Sequence, residues 1–369
     1  MSLRVVKRSA CPLWKKIVFY GVTIVAALAI GALVLTAIDV DPFQYYYRMF
    51  TMGTVGNRIA YKTFINYLIR FVPLALTALG LSLAFKMRFW NIGGEGQFII
   101  GALAASAIAL KFGECLPSVL TLVLMSVAAM VAAGLYGLLV AALKVKFGTN
   151  ETLLTLMLNY IALYVLNYIM GTKAGWNFFL KAEDLRPVPE KFSENAMFPT
   201  FSMGGKFELN LCVILVLMIA VLIFVYLKYT KQGYEINVVG DSPGTAKYAG
   251  MKVNSIVLRT VFLSACLIGL AAAFKMGTVG TLSNTITSDV GWTGIIVAWL
   301  AQLNTFAILL VSALISLLHH GSVIAAATFS SVDASFANML QGFILFLILV
   351  ADFMIRFKIV FVKKEGKNG

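Results

Sequence analysis

Charge is scarce in this chain. Only 12% of its 369 residues are charged, while 60% are hydrophobic. A soluble domain is usually about 25% charged and about 45–50% apolar. A globule cannot hide such an excess of apolar surface, whereas a bilayer can. Cysteine is as thin. Cys11, Cys115, Cys212 and Cys266 stand singly, with no Cys-x-x-Cys and no Cys/His cluster, so neither a disulfide frame nor a metal site is indicated. No G-x-x-x-x-G-K-[ST] occurs, so the chain has no P-loop to cradle nucleotide phosphates. H-E-x-x-H and G-x-S-x-G are missing as well. Gly94-Glu95-Gly96 opens like a dinucleotide fingerprint, but the third glycine is absent. His319 and His320 suit a helix C-terminal cap better than catalysis. No catalytic residue and no cofactor is assigned to the chain.

What is present is basic charge at the edges of apolar runs. Thirty Lys and Arg face sixteen Asp and Glu, a formal net charge of +14. Arg4, Lys7, Arg8, Lys15 and Lys16 precede the first apolar run, and Arg356, Lys358, Lys363, Lys364 and Lys367 follow the last. Basic groups that track span ends mark cytoplasmic flanks. They do not interleave with aromatics as in a nucleic-acid surface.

Ten apolar runs can be drawn: 17–38, 65–85, 92–110, 117–143, 152–170, 209–228, 255–276, 292–303, 305–319 and 338–356. A span needs about 20 apolar residues. The first run is too long for a signal-peptide core and is expected to be retained. The runs 292–303 and 305–319 are short and could be one helix. One helix there would leave an odd number of spans and put the basic C-terminal tail outside. Two crossings are therefore expected, the second completed by the small-residue stretch Gly321–Ser331. The predicted fold is all-α, a polytopic bundle of about ten spans forming one membrane domain over 1–369, with both termini cytoplasmic. Loop 229–254 lies inside and loop 172–208 outside. Phe43, Tyr45, Tyr46 and Tyr47 are read as interfacial rings.

Three polar segments stand out against this background. The first, Phe89 to Phe98, sets Asn91, Glu95, Gln97 and three glycines between apolar runs. An acid near the hydrocarbon usually faces a cavity or the protein interior. A broken helix lining a path and a cytoplasmic turn with Asn91 as N-cap fit this spacing equally. The second is Gly148-Thr149-Asn150-Glu151, a helix start, leading to Asn159 inside an apolar run. That amide needs a partner, from another helix or from a polar substrate. In the third, Val239-Gly240-Asp241 reads as a turn, Ser242 as a cap and Pro243 as the first helical residue of a short helix ended by Gly250. It is a docking knob or a well-capped surface turn.

In this order, Asn91-Ile92-Gly93-Gly94-Glu95-Gly96-Gln97, Gly148 to Glu151 leading to Met157-Leu158-Asn159-Tyr160, Ala246-Lys247-Tyr248-Ala249-Gly250 and Met339-Leu340-Gln341-Gly342 followed by Asp352 resemble one family. It is the ABC-importer permease family of bacterial ribose, simple-sugar and nucleoside permeases, over about residues 65–356. The resemblance implies a type II-like importer permease of the cell membrane. Two permease chains would pair with two ATP-hydrolysing subunits, so ATP would be used by a partner. A lipoprotein or periplasmic binding protein would deliver the substrate. The segment with Gly240, Asp241, Ser242, Pro243, Ala246, Tyr248 and Ala249 would enter a cleft on the ATPase. The Asn91–Gln97 form is closer to the nucleoside branch, with simple sugars second. An intramembrane enzyme or a stand-alone channel is the rival class. Asn91, Glu95, Gln97 and Asn159 are expected beside the substrate path.

Overall fold

The computed structural model describes residues 2–7, 12–52, 60–202, 208–329, 332 and 335–362. Arg8, Cys11, Arg58, Lys206, Lys363, Lys364 and Lys367, and the end of the 321–331 stretch, lie outside the described residues. The elements run β1 (Ser2–Lys7), α1 (Leu13–Ala37), α2 (Pro42–Met52), α3 (Ala60–Lys86), α4 (Gly94–Phe112), α5 (Ser118–Phe147) and α6 (Glu151–Gly171). They continue through the short hairpin β2 (Thr200–Ser202) and β3 (Glu208–Asn210), then α7 (Leu211–Tyr229), α8 (Lys231–Asp241), α9 (Pro243–Tyr248) and α10 (Val253–Val279). The last are α11 (Val290–Leu300), α12 (Thr305–Thr328), α13 (Ser335–Arg356) and β4 (Phe357–Val362). Among the described residues nine helices are long and apolar enough to cross a bilayer, and α11 is a shorter apolar helix. Two compact units are formed, 1–63 with 317–369 and 64–316.

In the first unit α1 packs against α13, and β1 pairs antiparallel with β4, Ser2 opposite Val362 and Lys7 opposite Phe357. The start of α1 and the end of α13 therefore sit at one end of this unit. The aromatic run in α2 does not behave as one interfacial set. Phe43 and Tyr47 are exposed, but Tyr45 is fully buried and its hydroxyl shares a hydrogen bond with Ser322 Oγ at 2.7 Å. The Tyr46 hydroxyl donates to the Leu28 carbonyl at 2.6 Å. A phenol leaving water needs such a partner, and the helix supplies it by turning two of the four rings inward.

In the second unit α4, α5 and α10 form a tightly apposed core. Small residues allow it. Gly101 lies so near α10 that a Cβ there would stand 2.8 Å from the Gly269 Cα, and a Cβ on Gly269 would collide with the Ala129 carbonyl of α5. Close backbone approach of this kind is how helices associate where lipid removes the hydrophobic driving force.

The segment after α10 places the shorter apolar helix α11 over most of the expected run 292–303. The chain leaves α10 through Gly280 in the left-handed region, φ 75°, and stays non-helical to Asp289. That exit lies against the 172–202 loop, since Phe192 N–H donates to the Gly280 carbonyl at 2.9 Å and Phe198 N–H to Gly277 at 2.8 Å. The half-length helix α11 then descends beside α3. Gly294 abuts Thr77 and Ala78, and Trp299 stacks on Trp90 with centroids 5.2 Å apart. Eleven residues cover roughly 16 Å, about half the hydrocarbon thickness. The stretch 280–289 that leads into α11 is irregular. Backbone of this kind is tolerated at depth where protein or a cavity surrounds it. α12 is a separate helix that takes up most of the small-residue stretch.

Candidate functional site

The polar segment at Asn91–Gln97 lies where α3 and α4 meet, and it is a built structure. Asn91 and Gln97 are buried and exchange reciprocal side-chain amide bonds, both at 3.1 Å. Asn91 Oδ1 also accepts from Gly93 N–H at 3.1 Å. Asn91 is thus no cap of α4, whose N-cap position is Gly93. The α4 N-terminus is held from another helix. Asn159 of α6 accepts from Gly96 N–H at 2.8 Å and donates to the Ile92 carbonyl at 2.9 Å. One amide therefore satisfies both sides of the chain break, which is the partner its burial demands. Thr155 Oγ1, one turn earlier, accepts from Ile92 N–H at 3.2 Å.

Glu95 has a different task from the one its place in α4 suggests. Its Oε2 accepts from Gly291 N–H, 2.8 Å away at the start of α11. Thr287 and Trp292 flank the same cavity as this carboxylate. A negative group at a helix N-terminus meets unpaired N–H donors and the positive end of the helix dipole. Gly291 is required here, because a Cβ would run into the Glu95 backbone. The N-termini of two half-buried helices thus converge on one acid.

A cavity of about 260 Å³ adjoins this junction. Its walls carry Glu95, Asn159, Tyr160, Asn284, Ser288 and Trp292, with Asp289 among their neighbours. Of the four site residues expected from sequence, Glu95 and Asn159 border the cavity, while Asn91 and Gln97 stand behind it and brace the break. Sequence reasoning misses the run 283–289, although its polar content between apolar runs is a usable signal. Ser288 and Asp289 adopt left-handed φ values of 47° and 57°. Non-glycine residues held there are strained by about 1–3 kcal/mol each and need firm surroundings. Lys275, 7% exposed within α10, donates to Ser288 Oγ at 3.4 Å and lies within electrostatic reach of Arg70 and Glu95.

The third segment forms as expected at its core. Ser242 Oγ accepts from Thr245 N–H at 3.2 Å, Pro243 opens α9, and Gly250 takes a φ of 73°. Two details differ. Val239–Asp241 ends helix α8 instead of forming a turn, with Gly240 pressed on the Lys86 carbonyl of α3. Ala246 is fully buried against its own chain, so it offers no small surface to a partner. The exposed face is carried by Lys247, Tyr248 and Ala249, with Tyr248 96% exposed.

Comparison with known proteins agrees with this architecture. The chain is 27% identical to a glucose ABC transporter permease of Haloferax volcanii over 97% of its own length and 94% of that protein. It is 28% identical to a guanosine ABC transporter permease of Bacillus subtilis, covering 94% and 97% of the two chains. A nucleoside ABC transporter permease of Lactococcus lactis subsp. cremoris is 27% identical over 84% of each. Residues 63–349 match the family described as branched-chain amino acid transport system, permease component. The chain belongs to that family and is the multi-pass permease component of an ABC transporter.

Proposed function

We propose that this permease imports nucleosides across the cell membrane, driven by ATP that a separate subunit hydrolyses. The observation that carries the nucleoside assignment is the chemistry of the cavity at the helix break. Glu95, Asn159, Asn284 and Ser288 offer donors and acceptors to sugar hydroxyls and ring edges, and Tyr160 and Trp292 offer flat faces to a base. Two relatives named for nucleoside or guanosine transport support the same choice. Simple-sugar import is the second reading, favoured by the relative named for glucose.

The absent P-loop motivates a separate ATPase. Its docking element is α9 with Lys247, Tyr248 and Ala249 outward, stiffened by the Ser242 cap and by Gly240 against α3. A second permease chain and a binding protein complete the assembly. On this reading both termini are cytoplasmic. The basic flanks point that way, and the β1–β4 pairing agrees with ends on one side. A crossing over 280–303, added to the nine long apolar helices among the described residues, would make the number of spans even.

The test is uptake of labelled nucleosides by cells with and without the gene for this chain. Loss of nucleoside uptake with glucose uptake unchanged supports the assignment. Loss of glucose uptake alone moves it to the sugar reading.

A further inference from the structure

Helix α6 has a second face that the cavity does not explain. Thr155, Asn159, Ala162, Leu166 and Met170 turn inward. Tyr160, Tyr164 and Asn167 follow at i, i+4 and i+7, one stripe of the helix surface. All three are exposed, Tyr160 at 49% and Tyr164 at 67%, and beyond Tyr160 the stripe leaves the cavity behind. Ile161 and Val165 form the next stripe and are exposed too. The helix has 21 residues, roughly 30 Å. Tyr160 and Tyr164 lie within one turn of its middle. Headgroup depth therefore does not account for them, as it does for Tyr168, which stacks on Trp176 near the α6 C-terminus with centroids 6.2 Å apart.

A phenol at mid-depth that faced acyl chains would have no partner for its hydroxyl. Such exposure costs a few kcal/mol per group. Ile161 and Val165 suit lipid at this depth, and Tyr160 and Tyr164 do not; Asn167 extends their stripe toward the α6 C-terminus. At its lower end the stripe is continuous with the cavity, because Tyr160 and Leu163 are wall residues beside Glu95 and Trp292.

We infer that the stripe Tyr160–Tyr164–Asn167 is a wall of the water-filled translocation path, and that a flat heteroaromatic ring moves along its phenol faces to reach the cavity. The ring, though not the wall, rests on the nucleoside reading above. Base–aromatic stacking is sequence-tolerant and worth about 1–3 kcal/mol per ring. A ladder of such faces holds a base at each stage without trapping it.

The test uses the complete transporter in membranes, with the four native cysteines replaced and single cysteines introduced. A membrane-impermeant, cationic thiol reagent is applied, with protein level at the membrane as the folding control. Tyr160→Cys, Tyr164→Cys and Asn167→Cys are expected to react at least about ten-fold faster than Ile161→Cys and Val165→Cys, because thiolate chemistry needs water. Equal rates on the two stripes would overturn the wall, whatever the substrate. In the second arm, uridine slows labelling of Tyr164→Cys and glucose does not. Protection by glucose alone leaves the wall standing and removes the flat-ring assignment together with the nucleoside reading. In the third, Tyr164→Ala lowers nucleoside uptake about ten-fold, the equivalent of one stacking contact, and Tyr164→Phe clearly less. Equal losses would overturn stacking as the role of that ring.

Discussion

The carboxylate of Glu95 accepts a hydrogen bond from the Gly291 N–H at 2.8 Å, joining positions 196 residues apart. The bond fixes the start of α11 to the start of α4, next to the cavity. Hydrogen bonds to a charged group are worth about 1.5–3 kcal/mol. Glu95→Gln keeps an acceptor but removes the charge, so uptake is expected to fall while the chain still assembles. Gly291→Ala is expected to do worse, since its Cβ meets the Glu95 backbone. Uptake normalised to membrane-inserted protein checks both. Normal transport by Glu95→Gln would make the contact dispensable.

Asn159→Leu removes two hydrogen bonds and leaves the buried Gly96 N–H and the part-buried Ile92 carbonyl without them. Each orphaned group costs about 1–3 kcal/mol. Both uptake and thermal stability in detergent are expected to drop. Unchanged stability would show that the amide serves the path alone.

The α5–α10 contact predicts a contrast between two glycines. Gly269→Ala forces the Ala129 carbonyl away, an overpacking cost of about 1–3 kcal/mol. A methyl on Gly21 of α1 would meet nothing within 4 Å, so Gly21→Ala is expected to be neutral or stabilising by up to about 1 kcal/mol through helix propensity. Thermal unfolding of the two variants, followed by intrinsic fluorescence, separates them.

At α9 the buried and exposed positions predict different failures. Ala246→Arg places an unpaired cation in a fully buried site and is expected to reduce folded protein. Tyr248→Ala and Ala249→Glu alter only the exposed face. They are expected to weaken co-purification of the ATPase, by about 2 kcal/mol for a good aromatic anchor, while folding stays normal. Full retention of the ATPase by both would leave α9 a surface turn.

Much of this arrangement was legible because a bilayer imposes a length. Each run of about 20 apolar residues became a helix, and the Ser242–Pro243 start and Gly250 exit of α9 were local rules read locally. The failures were contacts made over distance. Glu95 could be placed at a helix N-terminus from its spacing, but nothing nearby says that the helix is α11. Asn91 had the composition of a cap, yet its acceptor went to Gly93 and its amide to Gln97. The stretch 280–289 is irregular, so no apolar periodicity announces it. Tyr45 looked interfacial because its buried partner, Ser322, lies 277 residues away.

The function proposed for this chain is to carry nucleosides inward using ATP hydrolysed elsewhere. It is probed most sharply by uptake into proteoliposomes holding the chain with its ATPase, its partner permease and the binding protein, supplied with labelled nucleoside and ATP. The expected result is nucleoside accumulation that needs ATP, is competed by other nucleosides and not by glucose, and vanishes when the ATPase is omitted. Accumulation of glucose in place of nucleoside, or transport by this chain without any ATPase, would contradict it.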